Sequence, residues 1–531
     1  MEKNKNTSST TWALILFTIG VFMAALDNGI VSAALQTINT SFDVPDNWGA
    51  WGVTIYTLGL AISVPIVGKL SDKYGRKKLF IIEISLFALG SFLIAISPNF
   101  TFYLISRFIQ AMGGGGIFII GSSYVLSTFP LEKQGKALGL LGAMNGVGAV
   151  LGPNIGSFIL DLTGNWHYLF LINVPIAIVL VLLGIFKIKE SKEPSSKKLD
   201  FFGTVLLSFA ILGIMYGITN LDGVNLVESF MQPEVYGFIL AGVLVFIALL
   251  FHEKRLEGKG GDPILPFTLL SKAPYLVTLL IGSLSGALLA SMIFVPSFAS
   301  TILGISESSS GYWMTPLALA SGVGAALGGV LADKKGPVFA VAVSGIISFV
   351  GFLLFAEWAN DGFSFIIASI VAGCGIGVLL GAPLNMLATE KTQNAKGSSL
   401  ATLSLMRTIG MTLAPTIFAG FLARSYNKVP DLFETEFPDV LQKNLEAAGI
   451  DESQMAMAEQ MAQSTSGMDM NSLMASIEKI PDEGIRNVIE QSVSDITTMA
   501  GQSGFSLMYV SAAVMAALIL ILVPILSKVR K

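Results

Sequence analysis

The sequence predicts an all-α membrane protein with fourteen transmembrane helices, arranged six plus two plus six. Three observations carry that expectation. Charge is scarce: 13% of the 531 residues are charged and 53% are hydrophobic, where soluble domains run near a quarter charged. Uncharged stretches recur along the chain, each about as long as the ~20 apolar residues a helix needs to cross roughly 30 Å of hydrocarbon. Two motifs also repeat at nearly one offset, which divides the helices into two related sets.

The first helix is expected at 12–36, after the polar start "MEKNKNTSSTT". That start lacks the apolar core and small-residue cleavage site of a signal peptide, so no processing is expected. The uncharged run Asn47–Gly68 supports a second helix at 49–69, and Ile84–Ser106 covers the third at 79–97 and the entry to the fourth. Phe108–Leu131 completes the fourth at 102–127, Ala137–Leu160 the fifth at 136–160, and the sixth falls at 166–186. Two further spans are read at 201–219 and 234–252. Ala273–Ser306 and Gly311–Ala332 support helices at 273–303 and 309–332, followed by 338–356, 362–388 and 397–424. Gly504–Ser527 supports the last, at 505–527.

An even number of spans puts both chain ends on one side. That side collects 25 of the 32 Lys and Arg residues, and the other has five, Arg424, Lys428, Lys443, Lys479 and Arg486. Arg107 and Arg407 fall inside spans. The excess of basic loops places both termini in the cytoplasm.

The stretch "GKLSDKYGRKKL" begins at Gly68 and has an echo, "GVLADKKG", beginning 261 residues later at Gly329. Gly68, Leu70, Asp72, Lys73 and Gly75 match Gly329, Leu331, Asp333, Lys334 and Gly336. "GAVLGP" at 148–153 and "GMTLAP" at 410–415 match at an offset of 262. The chain therefore reads as a duplicated six-helix bundle, 12–186 and 273–528, with two additional helices between them at 201–252. Parallel halves related about the membrane normal are a transporter design, with cargo bound near the midplane.

Residues 425–503 interrupt the second bundle with 14 acidic and 4 basic residues. Acids alternate there with Ala, Met, Leu and Ile at helical spacing, while Pro481 and "STSGMD" suggest a turn. An extracellular helical hairpin is expected. Its methionines at 455, 457, 461, 468, 470 and 474 are read as packing residues rather than thioether ligands, so no metal site is expected.

These motifs resemble the major facilitator superfamily over essentially the whole chain. "GKLSDKYGRKKL" is similar to its signature between the second and third helices, and "RFIQAMGGGG" (107–116) to its Arg-bearing fourth-helix motif. "GLLGAMNGVGAVLGPNIGS" (139–157) resembles the fifth-helix motif associated with exporters, with Ser157 in place of the usual final Gly. "LDNGIVSAALQTI" (26–38) and "WHYLFLINVP" (166–175) resemble motifs of the fourteen-span drug:proton antiporters, from which Gly29, Ser32, Gln36 and His167 depart. The resemblance implies a major facilitator fold and proton-coupled efflux of lipophilic, multidrug-type cargo across a bacterial cell membrane. Some antiporters of this branch carry an extracellular hairpin where 425–503 lies. By the same resemblance, Asp72 docks on the start of the thirteenth helix, around Gly397–Ser399. By the repeat, Asp333 docks near Gly135–Lys136, so that Asp72, Arg76 and Asp333 form a cytoplasmic gate.

Asp27 lies ~22 Å along its helix from Trp12, and Arg107 ~8 Å in from the opposite face, at about 1.5 Å per residue. Both fall in the outer half of the membrane, where an ionisable residue is costly and by default functional. Asp27 is expected to bind the proton and Arg107 to tune it. Glu83 is expected to pair with Arg76 or the basic loop. Gly148, Gly152, Pro153 and Gly156 are expected to thin and bend the fifth helix into a tight seam between the halves. Tyr56, Tyr124, Asn145, Phe294, Phe298, Trp313, Met314 and Arg407 are candidates for the cargo cavity, and Arg407 aligns by the repeat with Asn145. No carboxylate lies in the ninth or tenth spans before Asp333, which favours monovalent lipophilic cations or neutral amphiphiles over dications.

Other classes fit poorly. Gly113–Gly116 follows no strand and no GxxxxGK[ST] occurs, so neither ATP nor another nucleotide is an expected partner. HExxH and GxSxG are missing, and His167 and His252 both sit at helix ends, so an enzyme is not expected. A single cysteine, Cys374, excludes a disulfide framework. No cofactor or nucleic-acid partner is implied, and a monomer is expected. Two rivals remain: the same fold exporting a native metabolite, lipid or siderophore, and a membrane sensor that transports nothing.

Overall fold

The computed structural model describes residues 2–44, 49, 51–192, 200–265, 267–390, 392, 395–448, 477, 480 and 482–530. Fourteen helices among them are long and apolar enough to span a membrane. The first half holds α1 (Glu2–Ser41), α2 (Trp51–Tyr74), α3 (Arg76–Ala95), α4 (Phe100–Thr128), α5 (Leu131–Thr163) and α6 (His167–Lys187). Then come α7 (Phe201–Thr219) and α8 (Pro233–Gly258). The second half holds α9 (Ala273–Leu303), α10 (Gly311–Lys335), α11 (Pro337–Glu357), α12 (Gly362–Thr389), α13 (Lys396–Tyr426) and α14 (Glu483–Arg530).

Local chemistry sets many of the ends. Asn99 caps α4 by accepting from the Phe102 N–H at 2.9 Å, and Asp200 caps α7 by accepting from Gly203 at 2.9 Å. Gly75 (φ 110°) and Gly336 (φ 87°) turn the chain between α2 and α3 and between α10 and α11. These are matched positions of the repeat, and both need the left-handed region that glycine enters without strain.

The duplication is visible in the packing. In the first half α1 packs on α5, and in the second α9 packs on α13. Between halves, α5 runs against α10 and α2 against α13. The pair α7–α8 sits outside, with α7 against α2 and α13. Backbones nearly touch where the halves meet on the side of the chain ends: a Cβ on Gly397 would lie 2.3 Å from the Gly68 carbonyl oxygen, and one on Gly329 2.1 Å from that of Gly135. Only glycine permits that approach.

Several boundaries differ from the sequence expectation. α4 breaks at Gly115–Gly116, α6 at Ile172 and α12 at Gly381–Ala382, while α9 tightens into a 3₁₀ turn over Ser291–Phe294. α14 begins at Glu483 rather than near 505, and its 48 residues extend about 72 Å at 1.5 Å per residue. Its early turns are amphipathic: Ile485, Ile489, Val493 and Ile496 bury against Phe437, Leu441 and Leu445. Those partners lie on the short helix Phe437–Ala447, which follows another at Val429–Thr435. The hairpin methionines, "STSGMD" and Pro481 lie outside the described residues.

Candidate functional site

Asp27 is fully buried in α1, and four helices converge on it. Its Oδ2 accepts from Arg107 Nη1 at 3.1 Å, and its Oδ1 accepts from Gln110 and Asn173, each at 2.8 Å. Ser91, on α3, accepts from Gln110 at 2.8 Å. Arg107 also lies over the Tyr56 ring, 4.0 Å from its centroid. A carboxylate sealed from water is costly unless paired and hydrogen-bonded, and here both carboxylate oxygens accept; beside them the Tyr56 hydroxyl and Asn173 Oδ1 are buried without a hydrogen-bonding partner among the described residues. The site can therefore do two things: hold a neutral ion pair, or take a proton on Asp27 while Tyr56 and Gln110 keep the guanidinium in place.

Gln110, Asn173 and Ser91 were not singled out by sequence. Gln110 stands one turn after Arg107 in "RFIQ", on the same helix face, and that spacing is the signal that could have found it. Asn173 lies within "WHYLFLINVP", and Ser91 has no distinguishing signal.

The acidic residues of the repeat dock on helices of the opposite half, Asp72 at the first turn of α13 and Asp333 at the second turn of α5, which starts at Leu131 rather than near 136. Asp72 Oδ2 accepts from the Gly397 N–H at 2.8 Å and from Ser398 at 3.3 Å, while Oδ1 accepts from Arg76 at 2.9 Å. Arg76, wholly buried, also donates to Ser123 at 2.8 Å and Ser191 at 3.2 Å. Asp333 accepts from the N–H groups of Gly135 and Lys136 at 2.8 and 3.0 Å. Lys396 adds a third tie by donating to the Leu126 carbonyl at 2.7 Å. Asp72, at the first turn of α13, meets both free N–H groups and the positive end of the dipole. The two contacts differ in strength, because Asp72 is buried whereas Asp333 is partly exposed; Pro337 stands where the repeat would put the counterpart of Arg76.

Glu83 does not pair with Arg76. It accepts from the Gly116 N–H at 3.0 Å and so serves the break in α4, where the lower helix segment starts. The fifth-helix glycines also differ from expectation. A Cβ on Gly152 would lie 2.5 Å from Gly29 Cα, and one on Gly148 2.8 Å from the Phe22 carbonyl oxygen. Both therefore form the α1–α5 seam within one half, not a seam between halves; α5 is continuous through Pro153, and Gly156 is buried on it.

The aromatic candidates separate as well. Tyr56 belongs to the Asp27 site. Tyr124 packs on Phe17 at 5.1 Å, and Phe298 on Phe365 and Phe505 at 5.8 and 5.2 Å, both in bundle interiors. Trp313 meets Phe365 at 5.2 Å, Phe294 meets Phe418 at 6.1 Å, and Met314 packs on the same cluster. Asn145 is partly buried on α5. Arg407 lines a small cavity between halves, with Ser122 of α4 and Asn385 of α12. Among the described residues, no group of three or more His, Cys, Asp or Glu side chains is placed to hold a metal.

Duplicated helical halves that meet across a central seam, with charged groups buried at depth, define a membrane carrier. A model of the Major Facilitator Superfamily matches residues 17–415, and the chain belongs to that superfamily. It is 56% identical over 512 residues to an uncharacterized transporter of this type, YfiU of Bacillus subtilis, covering 96% of each chain. It is 31% identical to Multidrug resistance protein 3 of the same organism, covering 80% of this chain and 82% of that one. Among solved structures, the proton:xylose symporter XylE superposes with a TM-score of 0.55 at 15% identity, over 80% of this chain and 91% of that chain. That likeness concerns the fold.

Proposed function

We propose that this protein is a proton-coupled antiporter that exports lipophilic small molecules from a bacterial cell by alternating access. Both termini lie in the cytoplasm, and the insert at 425–503 lies outside. The observation that carries the reading is the Asp27 site: a carboxylate sealed at depth, with its counter-cation held independently by Tyr56 and Gln110. Such a group can gain and lose a proton without collapse of its surroundings. The docked Asp72 and Asp333 support a cytoplasmic gate that is shut in this conformation. The name of Multidrug resistance protein 3 supports export of foreign compounds.

Sequence favours a monocationic cargo, but both Asp27 oxygens are committed to internal donors, and the geometry around Arg407 argues for the opposite sign. The test is transport in proteoliposomes driven by an imposed pH gradient, with ethidium, fluorescein and a neutral dye as probes and pyranine reporting the lumen pH. At least one probe should accumulate only with the gradient and release protons in exchange, and Asp27→Asn should abolish both signals. Undiminished gradient-driven accumulation in Asp27→Asn would remove the proton role; no gradient-driven movement of any probe would remove the exporter reading.

A further inference from the structure

Arg407 is a second arginine set at depth in a membrane span; it is partly exposed, and its environment differs from that of Arg107. Its Nε donates to Ser285 Oγ at 3.3 Å, while its enclosed Nη2 has no hydrogen-bonding partner among the described residues. No described carboxylate lies within ion-pair distance of it, whereas Arg107 has Asp27 at 3.1 Å. Arg407 stands eleven residues beyond Lys396 in α13, or ~16 Å at 1.5 Å per residue, close to the midplane of a hydrocarbon layer roughly 30 Å thick.

In this conformation the cavity beside Arg407 measures about 10 Å³, the room of one water, so cargo enters it only once the halves part. The cavity that Arg407 lines is bordered by Phe118, Ile119 and Ser122 of the first half and by Asn385, Leu403 and Ser404 of the second. The Ser122 hydroxyl is also buried without a hydrogen-bonding partner. Two polar groups, one from each half, thus converge on a pocket whose other walls are apolar. The α13 backbone is rigid here: a Cβ on Gly286 of α9 would lie 1.9 Å from the Arg407 carbonyl oxygen. Packing that close fixes where the guanidinium begins.

A guanidinium in a low-dielectric site needs a counter-charge, which a neutral hydrogen-bonding group does not supply. Its planar fork of donors fits a carboxylate or similar oxyanion bidentately. We infer that Arg407 binds the acidic group of the cargo, and that the transported class is lipophilic monoanions: an apolar body seated against Phe118, Ile119 and Leu403, with an oxyanion held by Arg407 and Ser122. The inference rests on the transport reading above and adds the sign of the cargo's charge.

The test uses a matched pair with one aryl body, 1-naphthylacetate and (1-naphthylmethyl)trimethylammonium, in the full-length protein in proteoliposomes under an imposed pH gradient. Wild type should move the carboxylate, and Arg407→Gln should weaken its half-saturating concentration by about tenfold or more, the loss of one charged contact. Arg407→Lys should recover part of that loss, and Ser122→Ala should show a smaller one. Addition of naphthylacetate should raise the melting temperature of wild type but not of Arg407→Gln, which separates lost binding from misfolding.

Movement of the ammonium probe but not the carboxylate would overturn the inference while the exporter reading stands. Equal carboxylate transport by wild type and Arg407→Gln would overturn the site. Movement of neither probe would also overturn the inference, and the three-dye assay then judges the exporter reading independently.

Discussion

Replacement of Asp72 by asparagine tests the proposed cytoplasmic gate. The Asp72–Arg76 pair lies within one half, so it is present whether the gate is shut or open and drops out of the comparison. What differs between conformations is the contact with α13: the N–H groups of Gly397 and Ser398, at 2.8 and 3.3 Å. A hydrogen bond to a charged acceptor contributes about 1.5–3 kcal/mol, and a neutral one about 0.5–1.5. Asparagine keeps an oxygen and the shorter bond dominates, so the shut state should lose roughly 1.5–2 kcal/mol, a shift of about 10- to 30-fold in the open-to-shut ratio. Asp333 makes the matching contact at 2.8 Å but is partly exposed. A solvent-screened interaction of that kind is worth about 0–1 kcal/mol, so Asp333→Asn should shift the ratio no more than about fivefold.

The assay is double electron–electron resonance between spin labels at Lys78 and Lys335, exposed positions on opposite halves. The sole native cysteine, Cys374, would first be changed to alanine. The long-distance population should grow strongly in Asp72→Asn and weakly in Asp333→Asn. Equal effects, or the reverse order, would refute the argument that burial sets the strength of each contact between halves.

Two further outcomes follow from the same geometry. Gly152→Ala should destabilise the detergent-solubilised protein by about 1–3 kcal/mol through overpacking, since its Cβ would lie 2.5 Å from Gly29 Cα; Gly237→Ala, with nothing within 4 Å, should leave the melting temperature unchanged. On solid-supported membranes, naphthylacetate export should generate a current equivalent to two positive charges moving inward per carboxylate, measured against radiolabelled flux.

The latches and the deep ion pair were legible in sequence because charge is conspicuous in an apolar chain. Asp72 and Asp333 repeat at a fixed offset, and Asp27 and Arg107 could be placed by depth arithmetic. The amides that complete the site were not legible: Gln110 and Asn173 are polar residues of ordinary frequency, and only the three-dimensional convergence of α4 and α6 on Asp27 distinguishes them. Glu83 was placed at the right depth and given the wrong partner, because a run of four glycines does not reveal where α4 breaks or that Gly116 presents its N–H there. Hydropathy located the membrane part of α14 but not its start, since residues 485–500 form an amphipathic face rather than an apolar run. Aromatic residues gave the poorest guide: Tyr124 and Phe298 have the same character as a cavity wall, but both fill bundle interiors.

The current matters because direct electrostatics and the proposed exchange point in opposite directions. An anion held at Arg407 would, by attraction across a low-dielectric interior, favour proton binding at Asp27 and so favour carrying both in one direction. That mode, proton and monoanion leaving together, moves no net charge. Exchange of one proton inward for one monoanion outward moves two, and at about 2.3 kcal/mol per charge per 100 mV gains ~4.6 kcal/mol from a 100 mV potential. Under the proposed mechanism, exchange is imposed by the helices. Arg407 lies on α13, whose N-terminus meets Asp72, and Asp27 lies on α1, packed along α5, whose second turn meets Asp333. Each site shares a rigid path with one latch, so occupancy of either can bias the gate without the two ligands sensing each other directly. Two charges per carboxylate would mean that this mechanical route prevails; zero would mean that the electrostatic one does.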